Sequence, residues 1–479
     1  MERREAEAIY DAGREVVVEV LLRMDRQIEQ LTARVEKLER ELAKNSRNSS
    51  RPPSSDPPGA QKKSKRARPK GPSGKSQGAQ PGHEGSGREL LPTWACDEVV
   101  VHWPQRCRCG HALCEAERVA VGDPVRHQVE ELPQISTIVV EHQCPRVWCP
   151  GCGRRSRAEL PAEIAGSAFG PRLQAAIATV SVRNRISRRD AVELVEQLFG
   201  ARISTGTIDA ILARAGAALA DPYDDLLERV RSAGAINMDE TGWRLKGAQR
   251  TLWGAFTDRH AVLTLTDSRH EDHARELLGD TRAVVCSDRW WAYSHLPLGR
   301  RQICWSHLQR DFQAQCEGLG AEHDLGQVGL EICDELFFAW EAFQHTRDRR
   351  QLTRVIARLK RRLKPILRTS AGTAPRYKRT RGLAKNILKV WPALWTFAKV
   401  KGVTPTNNHA ERGLRSAVIY RKLSLGSQSA EGETRIARLL SAHTTCRLQA
   451  RSLFDYLADV LTQHARGTPV PLLARFKDG

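Results

Sequence analysis

Three acidic residues have surroundings that suit them to hold metal ions. Asp239 ends a short apolar run, Ile236-Asn237-Met238, and is followed by Glu240 and a turn-like Thr241-Gly242. Asp288 repeats the pattern after Ala283-Val284-Val285-Cys286-Ser287. Glu411 falls early in a helix announced by Asn407 and Asn408, both able to cap it. An apolar strand ending in a carboxylate offers that group at a sheet edge. Two such ends side by side, with a helix across them, gather three carboxylates. Hard oxygen ligands suit Mg²⁺ or Mn²⁺. Two such ions ~3.5–4 Å apart stabilise both the attacking and the leaving oxygen of a phosphodiester. Each acid alone is more commonly a cap or a surface charge, so the conjunction carries the reading.

The elements needed to position them can be read on either side. From 234 to 306 the hydrophobic period changes to two. Residues 235–238, 251–257 and 261–266 read as strands, 273–278 as a helix, 283–288 and 301–305 as further strands, with a helix from about His307. Three antiparallel strands, a helix and two parallel strands predict an α/β fold, an RNase H-like mixed sheet. The first part of that core is placed at 231–310, and the second, with the C-terminal helices, at 403–465. The gap from Asp288 to Glu411 is too long for a bare core and demands an insertion. Residues 311–402 read as all-helical, and charge concentrates there: 347–389 holds sixteen Lys/Arg against one acid, Asp348. Such helices pack on one face and meet phosphate with the other.

The rest of the 479 residues fits a polyanionic partner. Net charge is +20, which points to double-stranded DNA. Residues 1–44 read as one helix whose seam is Leu21, Met24, Ile28, Leu31, Val35, Leu38 and Leu42, a short coiled coil and so a homodimer or higher oligomer. Residues 45–88, with ten Lys/Arg and two acids, read as a basic disordered linker. Seven of the twelve cysteines lie between Cys96 and Cys152, which favours metal over disulfides. Residues 89–165 are therefore expected to form a zinc-ribbon-like module. Cys107-Arg108-Cys109-Gly110 and Cys149-Pro150-Gly151-Cys152-Gly153 would supply four thiolates to a structural Zn²⁺. The first knuckle is one residue short of the usual spacing, so Cys114 and Cys144 are alternative ligands, and the alternation at 125–140 suggests strands. Residues 166–230 read as a helical DNA-binding domain of helix-turn-helix flavour, its second helix at 208–215 entering a major groove. An ordinary helical hairpin is the alternative. Residues 466–479 are a tail. The first residues are charged and lack a signal-type apolar core, and no run approaches ~18 apolar residues. No membrane contact and a cytoplasmic, nucleoid-associated location are expected.

At the motif level a resemblance becomes specific. Met238-Asp239-Glu240-Thr241, Cys286-Ser287-Asp288, Cys304-Trp305-Ser306-His307-Leu308 and Asn407-Asn408-His409-Ala410-Glu411-Arg412 resemble the catalytic blocks of DDE transposases of the insertion-sequence sixty-six family. The Asn/Ser/Pro-rich block at 45–56 and Gly78-Ala79-Gln80-Pro81-Gly82-His83 resemble that family's upstream blocks, in the same order. The resemblance implies that Asp239, Asp288 and Glu411 bind two Mg²⁺ ions. It also implies hydrolysis of the phosphodiester at each end of a bacterial insertion element, and in-line attack of the freed 3′-OH on target DNA. His307, Arg412 and Arg415 would contact DNA, and accessory proteins of the same element are conceivable partners. Two rivals remain at this point: a structure-selective nuclease on the same fold, and a DNA-binding regulator with an inactive core.

The seam predicts its own test. Deleting residues 1–44 should lower the oligomer mass measured by light scattering, and an unchanged mass would remove the coiled-coil reading.

Overall fold

The computed structural model describes residues 10–43, 89–133, 135–424 and 426–473. The linker at 45–88, the seam side chains of Leu38 and Leu42, and tail residues 474–479 lie outside the described residues. The chain divides into two compact units, Gly59–Ser136 and the remainder, Met1–Pro58 with Thr137–Gly479.

In the smaller unit the described residues form no strand ladder. The expected strands at 125–140, which run from this unit into the larger one, do not pair: Val125, Val129, Ile138 and Val139 are all exposed. Alternation without a second surface to bury against does not sustain a sheet.

The larger unit has a helix α1 (Arg14–Ala43); the single helix expected over 1–44 is broken before it at Gly13, at φ 101°, and Leu21, Ile28, Leu31 and Val35 of its seam are exposed. A two-stranded antiparallel hairpin follows, β1 (Arg146–Trp148) with β2 (Arg155–Arg157). Four helices come next: α2 (Pro171–Val182), α3 (Arg188–Phe199), α4 (Thr205–Ala218) and α5 (Ala220–Arg231). Ser187 and Ser204 cap α3 and α4 by accepting from Asp190 and Thr207 N–H groups, and Gly200 ends α3 at φ 65°. These helices are not a separate domain. Ile177, Ile208, Ile211 and Leu226 belong to the same apolar core as Ile236, Phe256 and Leu457, so the boundary expected at 230 crosses a continuous interior. The exposed face of α4 offers Thr205, Gly206, Ala210, Ala213 and Ala217, without a long polar side chain to read bases. Its packing is that of the helical-hairpin alternative.

The sheet has five strands: β3 (Ala235–Leu245), β4 (Ala248–Phe256), β5 (Ala261–Thr266), β6 (Val284–Ser287) and β7 (Arg301–Ile303), with α6 (Glu271–Leu278) between β5 and β6. Their order is β5-β4-β3-β6-β7; β3, β4 and β5 are antiparallel, while β6 and β7 run parallel to β3. This is the mixed sheet expected from the sequence, with one correction. The first strand does not stop at Thr241-Gly242 but pairs with β4 as far as Leu245, turning at Lys246 and Gly247, both at positive φ. Antiparallel pairing across the hairpin overrides the local turn signal. Asp239 is thus inside a strand, although its parallel neighbour β6 ends beside Asn237.

Two further helix groups complete the unit. After α7 (Trp305–Cys316), the insertion comprises α8 (Ala321–Thr346), α9 (Arg349–Ala371) and α10 (Lys378–Lys389). Its core starts at the sheet edge with Ile303 and Trp305 and includes Leu352, Ile356, Leu359, Leu363 and Leu367 from one face of α9. Then come α11 (Asn408–Ser424), α12 (Ala430–Leu448) and α13 (Leu453–Ala465). Helix α12 closes the outer edge of β5. Ser441 Oγ and Thr445 Oγ1, one turn apart, accept from the N–H groups of Leu263 and Ala261 at 2.9 and 3.0 Å. An edge strand is thereby denied to another chain.

Candidate active site

The three acids come from β3, from the end of β6 and from the first turn of α11. Short hydrogen bonds lash those elements together. The Asn407 amide nitrogen donates to the Met238 carbonyl at 2.6 Å, and the Asn407 backbone N–H donates to Cys304 Sγ at 3.0 Å. Cys304 N–H in turn donates to Ser287 O at 2.9 Å, and Trp305 N–H to Pro405 O at 2.9 Å. Each link is next to, or within one helical turn of, a candidate residue: Met238 of Asp239, Ser287 of Asp288, Cys304 of His307, Asn407 of Glu411. Gly413 assists from below, since a Cβ there would collide with the Phe256 ring of β4. A glycine lets α11 lie close on the sheet.

Electrostatics record the convergence. Burial pushes the Asp239 carboxyl well above the usual carboxylate range, and the charges of Glu240, Asp288 and Glu411 push it further. Asp288 is raised to about 6, by burial first and then by the charge of Glu240; the Trp290 N–H at 2.8 Å, Arg269 and Arg289 partly oppose this. Glu411 takes a hydrogen bond from Arg310 at 3.2 Å and lies 3.8 Å from His307 Nε2. Burial, then Arg310 and Arg289, hold His307 down to about 3, so it is a neutral imidazole at pH 7, and its Nδ1 is buried without a partner. Arg412 and Arg415 project from α11 into solvent.

Acceptors outnumber donors around these acids. The side-chain oxygens of Asn407 and of Asn237, which shares a face of β3 with Asp239, are buried without a hydrogen-bond partner. Oxygens with unmet acceptor capacity suit a divalent cation. Among the described residues, no three His, Cys, Asp or Glu side chains are already closed into a metal cage. Glu411 is paired with Arg310.

Sequence reasoning missed a fourth carboxylate. The Glu240 side chain is 1% exposed, paired with Arg269 and hydrogen-bonded by Tyr293 OH at 2.5 Å. The partners are far away in sequence, so the one available signal was a second acid directly after Asp239.

The cysteine knuckles are described separately, since they fall in different units. In the first, Gly110 at φ 94° closes the turn with its N–H on Cys107 O at 2.9 Å, and Cys109 hydrogen bonds lower the Cys107 thiol. In the second, Gly153 at φ 66° does the same on Cys149 O at 2.9 Å, and hydrogen bonds from Cys152 lower the Cys149 thiol.

The raised Asp288 pKa predicts a stability effect. The folded metal-free chain holds the proton longer than the unfolded chain, so stability falls as pH rises from about 4 to about 6 and stays reduced above. Asp288→Asn should therefore stabilise the metal-free protein at pH 7.5 by on the order of 2 kcal/mol. Thermal midpoints should show a gain that shrinks towards pH 4.5; no gain at pH 7.5 would contradict the assignment.

Comparison with known proteins agrees with this geometry. The model of the family described as "Transposase IS66 family" matches residues 166–435, more than half of the chain, and a family of unknown function matches residues 2–89. Uncharacterized protein y4hP of Sinorhizobium fredii is 24% identical over 409 residues, covering 77% of this chain and 72% of the relative. Uncharacterized protein y4qI of the same organism is 22% identical over 390 residues, covering 74% and 70%. Because that match spans residues 166–435, the chain belongs to the IS66 family of transposases.

Proposed function

We propose that this transposase is a DDE enzyme in which Asp239, Asp288 and Glu411 hold divalent cations, Mg²⁺ or Mn²⁺, on an RNase H-like sheet. It would cut the phosphodiester at each element end and join the freed 3′-OH to target DNA. The observation that carries this is that Asp239, raised by burial first and then by Glu240, is raised further by the charges of Asp288 and Glu411, residues 49 and 172 positions away. Bound there, the cations supply Lewis-acid activation of water and of the scissile phosphodiester.

The protein's own groups do the remaining work. Burial around Asp239 and Asp288 keeps bulk water from the reacting phosphate. Neutral His307 orients rather than pairs, offering a ring nitrogen beside Glu411. Arg310 holds Glu411 until a cation competes for it. Exposed Arg412 and Arg415 on α11 are placed to fork onto phosphate oxygens near the acid they accompany.

The insertion supplies steering. Arg358 and Arg362 of α9 are committed to Glu335 of α8, and Lys360 and Lys364 lie over Trp395 and Trp391. Arg350, Arg354, Arg361 and Arg368 are exposed along the same helix and remain available to the DNA backbone. Within its own unit the Cys149–Cys152 turn is proposed to offer thiolates to a structural Zn²⁺, and α1 to pair with another copy.

Cleavage of a duplex bearing the element's own terminal repeat tests the reading. Asp239→Asn should lose cleavage in Mg²⁺ to background while still binding the end. Full cleavage by that variant would end the catalytic assignment. A pre-cleaved end with a free 3′-OH should be joined to target DNA; cutting without joining would make the protein a nuclease instead.

A further inference from the structure

Beside the acids stands an aromatic and cationic cluster that the roles above leave unused. Asp288 is followed by Arg289-Trp290-Trp291. The Trp290 backbone N–H is bonded to Asp288 Oδ1 at 2.8 Å, so the chain that carries the two indoles is fixed to the site. The Arg269 guanidinium lies over the Trp290 ring, 4.4 Å from its centroid, while also pairing with Glu240. Trp291 is 46% exposed, which is unusual for so large an apolar ring. Its ring neighbours are His270 at 74° and Trp290 at 47°, so neither lies parallel on its face.

This arrangement has a cost that calls for a ligand. An indole left half in water forgoes apolar burial. A flat π-face open to solvent is also what a nucleobase stacks upon. The position answers a second problem. Asp239 and Asp288 are largely buried, and a stacked duplex is too stiff and broad to bring one phosphate into such a recess. Releasing the base next to that phosphate from the helix narrows the approach, at the expense of its stacking. Arg269 meanwhile neutralises Glu240, the acid that would otherwise repel the incoming strand.

We propose that Trp291, flanked by His270 and Trp290, is a stacking platform for one unpaired nucleobase adjacent to the scissile phosphate. The platform offsets the loss of duplex stacking and so admits the phosphodiester to the acids. This rests on the catalytic reading above, because the platform is defined relative to the phosphate that those acids cut.

The test uses the full chain and two duplexes bearing the terminal repeat: one intact, one abasic at the nucleotide flanking the scissile phosphate. Trp291→Ala should cut the intact end about tenfold more slowly than wild type, and Trp291→Phe should recover most of that loss. On the abasic duplex, Trp291→Ala and wild type should cut at equal rates, since no base has to be housed. End binding, measured on the same preparations, should change little. Equal rates on the intact end would overturn the platform alone. So would an equal deficit of the alanine variant on both duplexes, which is the mark of a merely structural tryptophan. Failure of wild type to cut either duplex would overturn the catalytic reading and the platform with it.

Discussion

Asn407 fastens the first turn of α11 to the sheet, and the position of every candidate group follows from that attachment. Its carboxamide reaches the Met238 carbonyl and its backbone reaches the Cys304 thiol, both in a water-free interior. A buried hydrogen bond contributes only about 1 kcal/mol net, but leaving its partners unsatisfied costs more, so the geometry is strongly enforced. With α11 held there, the first turn that carries Glu411 lies against β3 despite the long insertion that separates them in sequence. The insertion can vary in the chain path without moving the acid, because its own core starts at Ile303 and Trp305 on the sheet edge.

What is held in place is an electrostatic imbalance. Asp239, Asp288, Glu240 and Glu411 crowd one end of the sheet, and two buried amide oxygens lack donors. Glu240 is answered by Arg269 and Tyr293, and Glu411 by Arg310. Asp239 and Asp288 are held above the usual carboxylate range, by burial first and then by neighbouring acids. In the proposed function the positive surface of the insertion draws in the polyanion that the acids would repel.

Much of this was legible in the sequence because it is local. The apolar runs before Asp239 and Asp288 announced β3 and β6. The need for an inserted helical domain followed from spacing alone. What stayed hidden depends on partners distant in the chain. The continuation of β3 through Gly242 is decided by β4, and the clamp on Glu240 by Arg269 and Tyr293. The fusion of α2–α5 with the sheet core is a packing fact that periodicity cannot convey, since an amphipathic helix shows that it has a buried face but not against what. Alternation at 125–140 misled for the opposite reason: the pattern is present, but nothing is there to bury it.

The central claim is that three acids, separated in sequence, share one cation-binding pocket. Crystals of the full chain bound to an element-end duplex and soaked in Mn²⁺ test it through the anomalous signal of the metal. The account predicts a peak bounded by Asp239 and Asp288, with Glu411 turned away from Arg310 to join it. Manganese bound elsewhere, or a peak at the two aspartates with Glu411 still held on Arg310, would contradict it.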